Sequence, residues 1–492
     1  MKVIIQQPLQ ESGAVGQPRF VDSVFEVELR ALDASAGWHV LRSFRKTDET
    51  PTAEMSYIHK GFFDCHLHMI WSGLFDVDLD FRKVDSWDIA LAMVHQKFRD
   101  GAPFVRGYGW DESRWGMTLG SLERVAAAQL PEGKPVLLYR VCGHSALTNR
   151  TMRLAARKEH LGAMATDKDL RAIGDSLPLP DQRECEEAFL RAQKRAIENG
   201  ITSVGDMSLD ETNVAAIRTL AATGKLLLDV QGVFDSGRAP SVESQGPFAH
   251  ENAGAVGPLD RAAVFAVRHW KKYLDGSLGS RTAWLTQPYE DIETFGESLQ
   301  EDPKALIENA REALQNGFLL SFHAIGDAAL DQALDVGEKL DRLMAARRED
   351  PSLPGSRMRH RLEHVQVVRD DQLARMARQG HWFAALQPHH RMADQPFVES
   401  RLGAKRCRSQ AYRGASFLKA GIPFGLSSDS PVDSWRPLDV IRAAMTHDNP
   451  AERLSFSEAL WWYTTGSRLE SGLVPGRLGP GSTVFLTPQS LE

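Results

Sequence analysis

Between about residue 200 and residue 430 the chain repeats one pattern, a short apolar run that ends on a polar residue followed by a longer stretch with helical periodicity. That alternation is the signature of consecutive β/α units, and such units place their strands parallel. The expected strands are Ile201–Asp206, Leu226–Phe234, Val264–Leu274, Phe318–His323, His360–His364, Trp382–Gln387 and Phe424–Ser428, with helical stretches such as Pro303–Asn316 and Asp327–Arg347 between them. An earlier run, Tyr57–Phe63, leads into Asp64-Cys65-His66-Leu67-His68 and supplies an eighth strand. Eight parallel strands suffice to close a barrel. The expected fold class is therefore α/β, a (β/α)8 TIM barrel.

At 492 residues the chain is much longer than the roughly 250 of a bare barrel. The stretch from Trp71 to Asn199 is too long for one crossover and holds a strand-like run of its own, Pro135–Val141, so residues 71–199 read as a subdomain inserted after the first strand. Residues 1–56 alternate weakly around Val24–Leu29, and Ser482–Thr487 near the other end could pair with them. A small β layer made from residues 1–56 and 476–492 is thus expected beside a catalytic domain spanning 57–475.

The hydrophobic share of 42% and charged share of 25% fit an ordinary globular core. Net charge is −7 and the basic residues are scattered, which argues against nucleic acid as a partner. No run reaches the roughly 20 apolar residues of a membrane span, and the opening MKVIIQQPLQESG does not read as a secretion signal. The expectation is a cytoplasmic protein with a small-molecule substrate and no membrane partner; a homodimer is left open. The four cysteines form no C-x-x-C pair, so neither a disulfide framework nor a thiolate zinc site is implied.

In a barrel the strand ends converge on one face, which brings together polar residues far apart in sequence. Here those ends are rich in metal ligands. The first strand gives His66 and His68, spaced by two so that both imidazoles leave the same side of an extended chain. Later strands carry Lys271, His323 and His364, and the last ends at Asp429. Imidazoles and a carboxylate suit zinc or a similar divalent ion. Any one of these residues alone reads as a core histidine, a solvated lysine or a helix cap; chance must place all the strand ends together.

Longer motifs surround these positions: Gly61–His68, Tyr108–Trp115, Gly143–Asn149, Lys271–Trp284, His323–Asp327, Arg361–Gln366 and Ser427–Pro431. With them the sequence resembles the amidohydrolase superfamily, within it the YtcJ-like group that includes N-substituted formamide deformylases. The resemblance runs from about Lys60 to Ser482, with Lys60 standing where members of the group usually carry proline. It implies that His66 and His68 bind one divalent metal with Asp429, that His323 and His364 bind a second, and that a carbamate on Lys271, derived from carbon dioxide, bridges the two. It also implies hydrolysis of a carbon–nitrogen bond other than a peptide bond, by a metal-activated hydroxide with Asp429 as the proton acceptor.

Other positions carry lighter expectations. His144 is a candidate donor to the substrate carbonyl. Asp275 and Arg281 flank the end of the fourth strand and are candidates for binding substrate. Trp110 and Trp115 are candidate walls of an apolar pocket, with packing as the plain alternative. Glu363 falls on the face opposite His364 if the strand is regular. By the same alternation Lys271 and Lys272 point to opposite sides. Two rival functions stay in view, a mononuclear deaminase-type member with Lys271 unmodified, and a non-catalytic barrel that binds a small ligand.

Overall fold

The computed structural model describes residues 1–8, 20–33, 38–52, 54–76, 78–174, 176–235, 246–249, 263–300, 302–349, 358–471 and 483–487. Its centre is a sheet of parallel strands, Phe62–Leu67, Ile201–Leu209, Asp229–Phe234, Val264–Tyr273, Leu319–Ala324, His360–His364, Trp382–Leu386 and Phe424–Leu426, each paired with the next. Loop hydrogen bonds join the last strand to the first: the Asp429 amide donates to the His66 carbonyl at 2.8 Å, and the His68 amide to the Ser430 carbonyl at 2.8 Å. The Ser428 amide also reaches the Asp64 carboxylate at 3.1 Å. The result is a nearly closed (β/α)8 barrel.

Helices on the outside bury one stripe each. The helix Gln182–Glu198 begins at Asp181, which forms a capping box with Glu184, and buries Cys185, Ala188, Phe189, Ala192 and Ala196 at helical spacing. These residues belong to the main barrel core. The crossover helix of the first β/α unit therefore lies within the stretch expected as insert. The remainder of that stretch forms a sheet in the order Met164–Thr166, Ser145–Thr148, Val136–Arg140, Val105–Trp110, Leu79–Asp80. It has its own core of Phe81, Trp87, Val105, Trp110, Leu122 and Leu138.

The first barrel strand begins at Phe62 and not at Tyr57. The apolar run Tyr57–Phe63 hides a break at Gly61, where φ is +94° and an added Cβ would lie 2.5 Å from the Thr202 side chain. The strand before the break, Ser56–His59, pairs with Lys2–Pro8 and with Thr483–Thr487 in a separate closed barrel. Phe20–Asp33 and Trp38–Lys46 complete that second barrel, around Val3, Phe25, Leu41, Ile58 and Val484. Ser56–His59 thus belongs with the end layer, although a boundary at residue 57 joins it to the barrel. The expected boundary at residues 475 and 476 lies outside the described residues, as does Ser482. No described helix is long and apolar enough to cross a membrane. All four cysteines are free thiols.

Candidate metal centre

At the C-terminal mouth of the barrel three buried imidazoles stand close together, steeply inclined to one another. The His66 and His364 ring centres are 4.7 Å apart, and those of His323 and His364 are 4.5 Å apart. Each ring is pinned at Nδ1 by an acceptor behind it. His66 Nδ1 lies 2.6 Å from Glu363 Oε2. His323 Nδ1 lies 3.1 Å from Asp275 Oδ1. His364 Nδ1 lies 2.9 Å from Gln387 Oε1, and the Gln387 amide nitrogen is turned toward the Ala385 carbonyl and Ser427 hydroxyl. A carboxylate or an amide oxygen can only accept, so in each pair the ring donates from Nδ1 and keeps its Nε2 lone pair.

Two of those lone pairs have no partner of their own. His66 Nε2 and His323 Nε2 are buried without a hydrogen bond, and so is Asp429 Oδ1. Asp429 Oδ1 nevertheless sits 3.3 Å from His66 Nε2 and 3.4 Å from His68 Nε2. Ligand atoms of His66, His364 and Asp429 all fall within 4.8 Å of one another, the one such group among the described residues. Electron pairs facing each other this closely repel unless a proton or a cation lies between them. Imidazoles whose outer nitrogen is held by a carboxylate or carbonyl are the usual surroundings of a bound metal. The donor set therefore fits a divalent cation.

Charge follows the same logic. Burial opposes a charge on His66, yet Asp429 and Glu363 outweigh it and hold the ring above its ordinary pKa. Burial pushes His68 down, against the pull of Asp429. Burial and neighbouring histidines hold His323 and His364 well below the usual range. For Asp429 burial favours the acid form, but His66 leads a set of neighbours that keeps it ionised, well below the carboxylate range. Glu363 is likewise kept ionised against burial, by Arg361 and then His66.

Lys271 is fully buried, with Nζ 4.5 Å from the Tyr273 ring centre, and its charge is felt by His66, His68, His323 and His364. Lys272 turns the other way, over the buried ring of Trp270 at 5.0 Å. His144, supplied by the insert, brings its ring within 5.1 Å of His323.

Several expectations are corrected. Asp275 accepts from His323, from the Ile325 and Gly326 amides at 3.0 and 2.7 Å, and from the Trp284 amide at 3.0 Å. Burial raises it to about 7 against those hydrogen bonds, and no oxygen is left for substrate; it orients His323. Arg281 pairs with Asp291 at 2.8 Å and braces its loop. Trp110 is fully buried in the insert core and donates to the Leu138 carbonyl at 2.6 Å, while Trp115 packs on the same core and donates to the Val84 carbonyl at 2.8 Å. Neither walls a pocket. We expect Trp110→Ala to cost about 3–5 kcal/mol in denaturant unfolding, as large-to-small changes in cores do, with KM little altered. A shifted KM with unchanged stability would restore the pocket role.

Glu363 does not face away from His364. His364 has φ +73°, so the chain turns at the strand end and both side chains enter the barrel. Gln387, His390 and Asp433 were not anticipated. His390 Nε2 lies 3.6 Å from Asp429 Oδ2 and 3.4 Å from Asp433 Oδ2. The available signal was the pair His389-His390 just beyond the seventh strand, at the face where strand ends converge.

A parallel (β/α)8 barrel with imidazoles and a carboxylate gathered at its C-terminal mouth defines the class of barrel hydrolases that work through bound metal. The chain belongs to the amidohydrolase family, whose profile matches residues 61–483. It is 28% identical to the putative amidohydrolase YtcJ of Bacillus subtilis over 83% of this chain and 78% of that protein. It is also 28% identical to the protein LONG AFTER FAR-RED 3 of Arabidopsis thaliana, over 81% of this chain and 72% of that one. Among solved structures it is similar to an uncharacterized metal-dependent hydrolase from Pyrococcus horikoshii OT3, with TM-score 0.67, 26% identity, and 88% and 86% of the two chains covered.

Proposed function

We propose that this protein hydrolyses a carbon–nitrogen bond of an amide or N-substituted formamide at a site built from His66, His68, Lys271, His323, His364 and Asp429. One observation carries the reading: three buried imidazoles pinned at Nδ1 around an ionised carboxylate, with His66 Nε2 and Asp429 Oδ1 unpartnered at 3.3 Å. A divalent metal, zinc by the chemistry of its donors, would be held by His66, His68 and Asp429, and a second by His323 and His364 with a carbamate on Lys271 between them. When bound, such metals supply Lewis acidity, polarising a carbonyl and making water acidic near neutral pH.

The chain's own residues do the rest. Glu363, Asp275 and Gln387 fix the ring tautomers, and the ionised Asp429 takes a proton from the attacking water and passes it to the leaving nitrogen. His144, beside His323, is placed to donate to the substrate carbonyl. A cytoplasmic setting and the division into end layer, barrel and insert belong to the same reading.

A second reading, a mononuclear deaminase-type site with unmodified Lys271, draws on the compact group of His66, His364 and Asp429. Metal analysis of the purified protein, joined to a screen of N-acyl and N-formyl amines for released amine, separates the two. About two ions per chain with amine release is expected. One ion at full activity would favour the second reading, and full activity without metal would sink both.

A further inference from the structure

Among the large apolar side chains that the described residues leave exposed, one is a tryptophan, Trp71, at 44%. It lies in the helix Met69–Phe75, which begins directly after His68. Its indole stacks on the His68 ring, with centres 5.7 Å apart and planes 29° apart. His68 Nε2 is in turn 3.4 Å from Asp429 Oδ1, so a single imidazole separates the indole from the reacting centre.

Further aromatic residues follow from this ring, Phe75 and Tyr108 among them buried. Tyr139 lies 6.4 Å from Trp71, and Phe75 lies 6.1 Å from it. Phe75 stacks on Tyr108 at 4.4 Å, and Tyr108 faces Tyr139 across neighbouring strands of the insert sheet. The insert thus adds Tyr139 near Trp71 and, five residues later, His144 near His323. A molecule seated between them meets polar groups at the barrel end and a flat apolar surface at its side.

An indole left half bare beside a water-activating centre is an unfilled stacking surface. Aromatic rings gain most from offset-stacked or edge-on neighbours, and small-molecule sites pair such surfaces with a few orienting polar groups. We propose that Trp71 is the stacking platform of this site and that the compounds turned over carry a planar apolar group, an aryl ring or its equivalent, next to the scissile bond. The proposal rests on the hydrolase reading above and names its substrate class.

The test compares an N-aryl with an N-alkyl amide of equal charge on the metal-loaded protein, on Trp71→Leu, which keeps apolar bulk without a ring, and on Trp71→Phe. Trp71→Leu is expected to raise KM for the aryl compound roughly tenfold more than for the alkyl one, with kcat moving alike for both and metal content retained. Trp71→Phe is expected to recover most of the difference. Equal KM shifts for the two compounds, or no aryl preference in the unaltered protein, would overturn the proposal. Calorimetry with an N-aryl urea, which presents the ring without a readily cleaved bond, separates this result from failure of the hydrolase reading. Weaker urea binding by Trp71→Leu supports the platform even if no amide is cleaved; unchanged binding overturns it.

Discussion

Asp429→Asn is expected to abolish turnover while the protein stays folded. Asp429 sits at φ +55°, a left-handed conformation that asparagine tolerates as readily as aspartate, so the exchange asks nothing of the backbone. Volume is preserved as well. What disappears is a charge that lies within 3.4 Å of two imidazoles and a base that the surrounding histidines keep ionised. General acid–base help is worth roughly 10²–10⁴ in rate, and weaker metal binding adds to the loss. Steady-state kinetics at saturating metal, with thermal unfolding as the control for folding, measures both halves. Near-normal activity in a metal-loaded variant would remove Asp429 from the mechanism.

The second large effect separates two adjacent lysines. Lys271→Ala is expected to lose activity and at least one metal ion, and to regain part of both when a short carboxylic acid is supplied. On the proposed reading the neutral lysine amine adds to carbon dioxide to give a carbamate and one proton, and the resulting anion, set among the imidazoles of His66, His68, His323 and His364, would suit metal ligation. Its burial on the lumen side, against Tyr273, is what this reading needs. Lys272, over the Trp270 ring, is expected to change stability by no more than about 0.5 kcal/mol when replaced by alanine, with activity intact. Reversed behaviour of the two variants would show that the side-chain alternation had been assigned to the wrong faces.

Side-chain alternation was readable in the sequence wherever a strand runs regularly, which is why the opposed faces of Lys271 and Lys272 could be anticipated. It misled at His364, where a positive φ at the strand end turns that ring to the inner side beside Glu363, which already lies there in register with His323. Hydrophobic runs located the barrel strands, because a strand buried on both faces has little room for polar residues. The same logic hid the break at Gly61, since apolar residues continue on both sides of it and only the glycine marks the turn. Asp275 looked like a substrate ligand because sequence shows a charge but not the backbone amides that consume it. Trp110 and Trp115 looked like pocket walls for the same reason, their indole nitrogens being satisfied by distant carbonyls. Gln387 closed an expected strand but carried no metal-ligand chemistry to single it out, and His390 lies past that strand, where no periodicity points to an orientation.

The hydrogen bonds between Asp429 and His66, and between His68 and Ser430, join the last strand to the first at the very residues that make the site. During synthesis, His66 and His68 leave the ribosome early and wait, without their carboxylate, for nearly the whole barrel to follow. A nascent chain halted before Asp429 lacks the backbone bonds that seal the ring and the carboxylate beside His66 and His68. The bonds that seal the ring are also the ones that bring Asp429 beside His66 and His68, so on the proposed reading a chain made only up to that point lacks both together.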